Sequence, residues 1–357
     1  MTEISVRASA DRYCNLLDAV KLVCALLVAA IHVPPLSSVN WILNFGVVNF
    51  VARIAVPFFF VSSAYFVFLK AYDSKTCAID KRAVLKYVLR ILRLYGIWSV
   101  VYLPFAYRNA AADMDFPHFI LHYALKFLCG ASYGHLWYLG AVIYAYLILL
   151  ALLSLRIKPR TIAVFSLTLY CLGVLTQSWY GLIEPLTHYP QVHSALLFLK
   201  SVFGTARNGL CEGLLFIMIG MFFAVRPFKL SVKRAVLFLA LSFFLLCAEV
   251  FALAKLGWIR EYDMYIGLIP TVFFMFYISV TVKLPDSPIY KKIRTLSSLI
   301  YFVHMIPAEL LIAVPALRSL PGGSPSNYIF AVASACVLSF LIVRLSERFP
   351  RLRCLYK

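Results

Sequence analysis

An aspartate, a lysine and a histidine share one apolar run near the start of this 357-residue chain. Residues 15–32 read N-L-L-D-A-V-K-L-V-C-A-L-L-V-A-A-I-H, and Asp18, Lys21 and His32 are its ionisable members. A charged side chain at the centre of a lipid-spanning helix costs about 3 kcal/mol, so its presence calls for a use. Asp18 and Lys21 stand at i, i+3 and can pair on one helical face. Lys21 and His32 stand eleven positions apart, almost three turns, which puts them on one stripe about 16 Å long. A neutral imidazole can take a proton from a hydroxyl near pH 7. The blander alternative is a snorkelling lysine and an interfacial histidine.

Other residues extend the set. Arg90-x-x-Arg93 places two guanidinium groups on one face, a spacing that can grip phosphate or simply mark the basic flank of a span. His135, Trp137 and Tyr138 open one apolar run; Arg207, Asn208 and Glu212 open another. Aromatic and amide groups suit a sugar, though Trp137 and Tyr138 equally fit an interfacial aromatic belt. His304 and Glu309 fall in a later run and Glu249 in an earlier one; the two glutamates have no evident role. The nine cysteines contain no C-x-x-C, and Cys24, Cys171, Cys211, Cys247 and Cys336 lie within apolar runs. Neither a disulfide framework nor a metal site is expected.

The elements that must position these residues are transmembrane helices. The chain is 63% hydrophobic and 14% charged, against near half and a quarter in soluble domains. The apolar residues come in continuous blocks of bilayer-crossing length, which selects helices over a barrel. The blocks predict an all-α polytopic membrane protein of about ten spans, at 15–34, 45–69, 87–106, 135–155, 161–180, 208–225, 234–254, 265–282, 296–315 and 327–345. Two shorter stretches, 116–129 and 193–204, are expected along the outer interface. With the N-terminus inside, 25 of the 34 Lys and Arg residues fall in cytoplasmic segments and seven in outer loops. That bias predicts cytoplasmic N- and C-termini. It also accounts for the net charge of +19 without nucleic acid. The first run is long, lacks a small-residue cleavage site and carries charge, so no cleaved leader is expected. The organisation read here is a cytoplasmic segment 1–14, a membrane domain 15–345 and a basic cytoplasmic tail 346–357, with no soluble domain appended.

In order along the chain, these phrases resemble the membrane acyltransferase-3 family. D-x-x-[R/K]-x10-H is met by Asp18, Lys21 and His32. Lysine stands where family members usually carry arginine; it keeps the charge and loses the flat bidentate fork. Ala52–Phe66 (A-R-I-A-V-P-F-F-F-V-S-S-A-Y-F) is similar to an F-F-x-x-S-G segment, with Ser63 where glycine is common. Arg90-x-x-Arg93 resembles the family's R-x-x-R. Gly134–Leu139 (G-H-L-W-Y-L) resembles H-L-W-F-L, and Ser298–His304 (S-L-I-Y-F-V-H) a Y-x-x-x-H ending. The first of these two, with Arg207–Gly213 (R-N-G-L-C-E-G), is also similar to the membrane half of VanT-type serine racemases; their soluble racemase half is not expected in these residues. The resemblance covers residues 12 to 345.

It implies an acyl-CoA-dependent O-acyltransferase of the inner or plasma membrane, acetyl-CoA being the expected donor and a cell-envelope glycan or lipid-linked precursor the expected acceptor. It implies Arg90 and Arg93 on the CoA phosphates, His32 as general base with Lys21 and Asp18 ordering its helix or meeting the donor, and His135, Trp137, Tyr138, Arg207, Asn208, Glu212 and His304 around the acceptor. Two other readings stand beside it. One is a transporter or flippase of a small polar solute such as an amino acid, using the same ionisable groups as a proton relay. The other is a non-catalytic subunit whose polar residues join helices.

Overall fold

Each of the ten expected spans is helical in the structure, a computed structural model that describes residues 14–73, 78–203, 205–226, 228–318 and 321–357. The segment 1–14 expected ahead of the first span lies, apart from Cys14, outside the described residues. The longer helices, in chain order, are α1 (Asn15–His32), α2 (Trp41–Ala71), α3 (Lys81–Ala110), α4 (Phe116–Leu128), α5 (Gly134–Ser154) and α6 (Pro159–Thr176). There follow α7 (Pro190–Phe203), α8 (Gly209–Val225), α9 (Val232–Leu256), α10 (Leu268–Thr281), α11 (Ile289–Ala313) and α12 (Gly323–Arg348). Among the described residues eight of them, all but α4, α7, α8 and α10, are long and apolar enough to cross a membrane; α8 and α10 are apolar but shorter. Among the described residues the one sheet pairs Tyr72–Asp73 antiparallel with Ala78–Ile79, between α2 and α3. The chain is a multi-pass, all-α membrane protein.

Polar residues set where the helices begin. Asp80 accepts from the amides of Arg82 and Ala83 at the start of α3, and Ser231 from Arg234 at the start of α9. Such caps satisfy amides that have no partner within the helix. Small residues set how closely helices approach, as is usual where lipid gives no hydrophobic drive to association. Gly220 of α8 rests on the backbone of α2 at Val61, and a side chain there has no room.

α1 and α11 run side by side in the same direction. Asp18 near the start of α1 meets Arg294 near the start of α11, and His32 at the end of α1 meets His304 further along α11. Asn15 donates to the carbonyl of Pro285 at 3.0 Å. At this same end Trp98 of α3 donates to Leu355 O in the C-terminal segment at 3.0 Å. The start of α1, the approach to α11 and the chain's last residues therefore gather at one basic end.

α4 doubles back along the C-terminal half of α3. Tyr107 packs on Phe116, Tyr123 donates to Ser99 O at 2.6 Å, and Tyr95 stacks on Phe127 at 4.6 Å. Aromatic pairs at successive turns produce this antiparallel hairpin. α7 packs beside the C-terminal half of α6, enclosing with it a cavity of ≈ 290 Å³.

Three helices lose their regularity. α2 passes through a π turn at Val47–Val51 and a 3₁₀ turn at Ala52–Ile54, and α8 opens with a π turn at Gly209–Gly213. α11 is interrupted at His304, between Ile289–Val303 and Met305–Ala313. Pro307, three residues on, has no amide to bond back to Val303. Just before the break, Phe302 O also accepts from Tyr102 Oη of α3 at 2.6 Å.

Candidate functional site

The interruption of α11 brings three imidazoles together. The His304 ring lies 5.3 Å from His32 and 4.9 Å from His135, and His32 lies 6.5 Å from His135, all between centroids. His304 Nδ1 is 2.8 Å from Tyr301 O, and His135 Nε2 is 3.2 Å from Phe302 O. Both acceptors are carbonyls just ahead of the break, so the protons belong on those nitrogens. His304 Nε2 and His135 Nδ1 are then lone pairs, buried and without a hydrogen-bond partner. His135 and His304 are 2% and 1% exposed; His32 is accessible. Two oriented, buried imidazoles thus back a third that faces open space. Among the described residues no three His, Cys, Asp or Glu side chains are arranged to hold a metal ion.

A charged layer adjoins the histidines. Asp263, in the connection before α10, bonds both Arg53 of α2 and Arg207 ahead of α8; the Arg207 contact is 3.1 Å. The Nε atoms of both arginines are buried without a partner. Arg207 also lies over the Trp137 ring at 4.8 Å, a cation–π contact. Both arginines are within electrostatic reach of His32. Glu212, 2% exposed, adds a carboxylate oxygen that has no partner. Arg53 and Glu212 lie in or beside the irregular turns of α2 and α8, where π turns often mark functional sites.

On the other side of the histidines a cavity of ≈ 410 Å³ leads to the basic end. Lys21, Lys70, Arg90 and Arg294 line it, and Tyr138, Tyr301 and Phe302 stand where it approaches the histidines. A second cavity, of ≈ 1060 Å³, lies toward the C-terminal end of α3. Tyr133, Trp137 and Arg207 line it, and the Tyr133 ring is 6.0 Å from His135; the three histidines themselves are in the lining of neither cavity.

The structure brings His32, His135, His304, Trp137, Arg207 and Glu212 into one region, as a shared acceptor site requires. Tyr138 departs from its expected place, since it faces the basic-end cavity between Phe60 and Tyr301 rather than the outer side. Asn208 is occupied as a helix cap, accepting from Leu210 N and Cys211 N at 2.9 Å each. Asp18 has Arg294, not Lys21, as its ion-pair partner: Arg294 Nη2 meets Asp18 Oδ2 at 2.7 Å and Nε meets Oδ1 at 2.9 Å. Guanidinium offers a carboxylate the two-pronged contact that an ammonium lacks. Lys21 is left to the cavity, with its Nζ 4.9 Å from the centre of the Phe66 ring. Arg90 lines that cavity; Arg93 is exposed and does not.

Sequence reasoning passed over Arg294, Lys70 and Asp263 as loop or flank charges. Arg294 carried a signal, because a cation ten positions before His304 echoes Lys21 before His32. Asp263 carried none. The two unexplained glutamates are structural. Glu249 accepts from Trp179 Nε1 at 2.7 Å and from the amides of Ile266 and Gly267 at the start of α10. Glu309 is held by Arg108, Asn109 and Tyr133.

A family model described as an acyltransferase domain matches residues 15–344. A serine/alanine racemase of Enterococcus gallinarum is 28% identical over 260 residues, 73% of this chain and 36% of that protein. An amino-acid racemase of Enterococcus faecalis is 25% identical over 337 residues, 94% of this chain and 46% of that protein. The chain thus spans less than half the length of these curated relatives. No solved structure matches.

Proposed function

This chain belongs to the acyltransferase family whose domain covers residues 15–344, and on that premise we propose that it moves an acyl group, acetyl in the first instance, from acyl-CoA to a hydroxyl of a cell-envelope acceptor. The observation that carries the reading is a histidine cluster whose neighbours line two cavities, Tyr301 and Phe302 the one and Tyr133 and Trp137 the other. The basic-end cavity takes the donor. Lys21, Lys70, Arg90 and Arg294 bear positive charge for its phosphates, and the charge bias of the loops places this end in the cytoplasm, where acyl-CoA is made. The acceptor comes through the outer cavity.

His32 takes the proton of the acceptor hydroxyl, whose oxygen attacks the thioester carbonyl carbon. The C–S bond breaks, the new ester forms, and the CoA thiolate leaves and takes up a proton. Arg53 and Arg207, both within electrostatic reach of His32, supply positive charge as negative charge develops on the carbonyl oxygen, a use that electrostatic catalysis favours. Acetyl-CoA hydrolysis or transfer by the purified protein tests the reading. His32→Ala is expected to lower turnover by about 10²–10⁴-fold, and His32→Gln not to restore it. Near-wild-type turnover in His32→Ala removes the assignment. For orientation, Lys158→Cys in a cysteine-free background is expected to resist a membrane-impermeant label in intact cells and Gln191→Cys to react; the reverse result inverts the placement.

A second reading, transport of a small polar solute such as an amino acid, draws on the relatives' names and on the broken α11, since interrupted helices suit binding sites in transporters. Amino-acid uptake by proteoliposomes, with no acyl-CoA turnover under any condition, favours it.

A further inference from the structure

α6 ends at Thr176, and the next residue, Gln177, is 1% exposed. It lines the cavity of ≈ 290 Å³ beside α6 and α7, whose lining includes none of the three clustered histidines. A chain of hydrogen bonds fixes which way its amide turns. Gln177 Nε2 is 3.0 Å from Thr205 Oγ1, and Thr205 Oγ1 is 2.8 Å from Glu261 Oε2. A carboxylate only accepts, so the one hydroxyl proton of Thr205 goes to Glu261. Thr205 Oγ1 must then accept from Gln177, which puts the amide nitrogen on that side and the amide oxygen on the other. That oxygen, Gln177 Oε1, is buried and has no hydrogen-bond partner. Buried acceptors are rarely left so.

The rest of the polar lining is short of free donors. Thr176 and Thr187 spend their hydroxyl protons on Gly173 O and Glu184 O. Glu261 lines the same cavity and, among the described residues, has no ion-pair partner. Its neighbour Arg260 lies over the Tyr180 ring at 5.0 Å instead. His193 completes this end from α7. Leu169, Leu172, Leu196, Leu197 and Leu210 form the apolar wall. Leu172 and Leu197, each 53% exposed, carry that wall to the surface of the bundle.

We propose that this cavity is a second small-molecule site, for a primary ammonium on a compact apolar body. The ammonium donates to Gln177 Oε1 and to Glu261, and the body lies among the leucines. A hydroxyl has one proton and no charge, whereas an ammonium can serve both acceptors. The α-carboxylate of an amino acid would stand beside Glu261 while Arg260 is engaged on Tyr180, so an amine fits and a zwitterion does not. The cavity is at the lower end of the volumes usual for ligand sites, which suits a small molecule. Nothing in the proposal depends on acyl transfer.

The probe is 2-phenylethylammonium, titrated at neutral pH against the purified full chain in phosphatidylcholine nanodiscs, with empty nanodiscs setting the partitioning background. Its uncharged and zwitterionic controls are 2-phenylethanol and phenylalanine. The amine is expected to bind saturably and to exceed both controls by about tenfold or more, the worth of a charge-assisted contact. Glu261→Gln is expected to weaken the amine by about tenfold or more and to leave 2-phenylethanol unchanged. Gln177→Met is expected to weaken the amine likewise. Thermal unfolding near wild type certifies each fold, and Glu261→Gln, at a part-exposed position, decides the matter if Gln177→Met does not fold. Absence of saturable amine binding overturns the proposal. So does wild-type affinity in Glu261→Gln, or either control binding as tightly as the amine. Phosphatidylethanolamine carries the same ammonium on its headgroup. Weaker probe binding in discs that contain it identifies the lipid as the source, and unchanged binding identifies a free amine; both uphold the ammonium site. No reading involves acyl-CoA, so failure here leaves the acyltransferase reading standing.

Discussion

At the basic end Asp18, Lys21 and Arg90 project from regular helices and Arg294 from the regular first half of α11; at the histidine level the helices bearing Arg53, Glu212 and His304 are each irregular. The two regions use charge differently. The basic end pairs Asp18 with Arg294 and leaves surplus cations toward a cavity. At the histidine level, buried donors and acceptors stand without partners: Arg53 Nε, Arg207 Nε, Glu212 Oε2, His135 Nδ1 and His304 Nε2. Buried polar groups are rarely left so, and their clustering marks where a ligand or reacting group completes the structure. Under the proposed function the first region serves affinity and the second chemistry.

The sharpest way to break this contrast is to exchange histidines. His32→Ala is expected to lose turnover by about 10²–10⁴-fold with CoA affinity unchanged, and His304→Ala to lose less, since it orients rather than faces the open space. Turnover killed by His304→Ala and kept by His32→Ala would move the base to α11. The next largest effect belongs to the basic end. Arg90→Ala or Lys21→Ala is expected to weaken CoA binding by about 10–150-fold, the equivalent of about 1.5–3 kcal/mol for a charged contact. Arg93→Ala, outside the cavity, is expected to leave CoA affinity within about twofold, each read by calorimetry. Wild-type affinity in Arg90→Ala with a depressed turnover would erase the division of labour.

Stability gives the smaller contrasts. Asp18→Asn is expected to lower unfolding stability by about 1.5–3 kcal/mol, the worth of a hydrogen-bonded charge whose partner is partly exposed. Glu212→Gln, which keeps the shape of a buried carboxyl group whose Oε2 has no partner, is expected to stay within about 1 kcal/mol of wild type or exceed it. Thermal unfolding in detergent measures both. A larger loss in Glu212→Gln than in Asp18→Asn would mean that Glu212 has a structural partner.

What the sequence disclosed follows the same divide. Helical periodicity located Lys21 and His32 on one stripe because α1 is regular over its length. Hydropathy found a helix at each expected span because lipid exposure constrains each turn of a helix alike. Periodicity failed at Asp18, whose i, i+3 neighbour lost to Arg294 on another helix: a local rule cannot weigh a better-shaped distant partner. It was blind to Asp263, which lies in a short connection and matters only because Arg53 and Arg207 converge on it. Tyr138 was misplaced because neighbouring residues at the head of α5 face different cavities, and that depends on the pitch of the 3₁₀ turn Gly134–Leu136 before it. The family phrase H-L-W-Y-L recorded the importance of the segment without saying which way each ring turns.

The Asp18–Arg294 pair sets an order on biogenesis. The two residues are 276 positions apart. α1 is the first of the described helices to leave the ribosome, yet its carboxylate meets its guanidinium only after the seven expected spans between them have been made. At about 5–20 residues per second the wait is roughly 15–55 s. Throughout it, the nascent first helix carries Asp18, Lys21 and His32 into the translocation machinery unmatched. The imidazole cluster must wait for the same helix, since His304 arrives on it too. The newborn chain therefore acquires its chemistry last, and nascent chains released before α11 are expected to keep a poorly anchored first helix that membrane quality control can recognise.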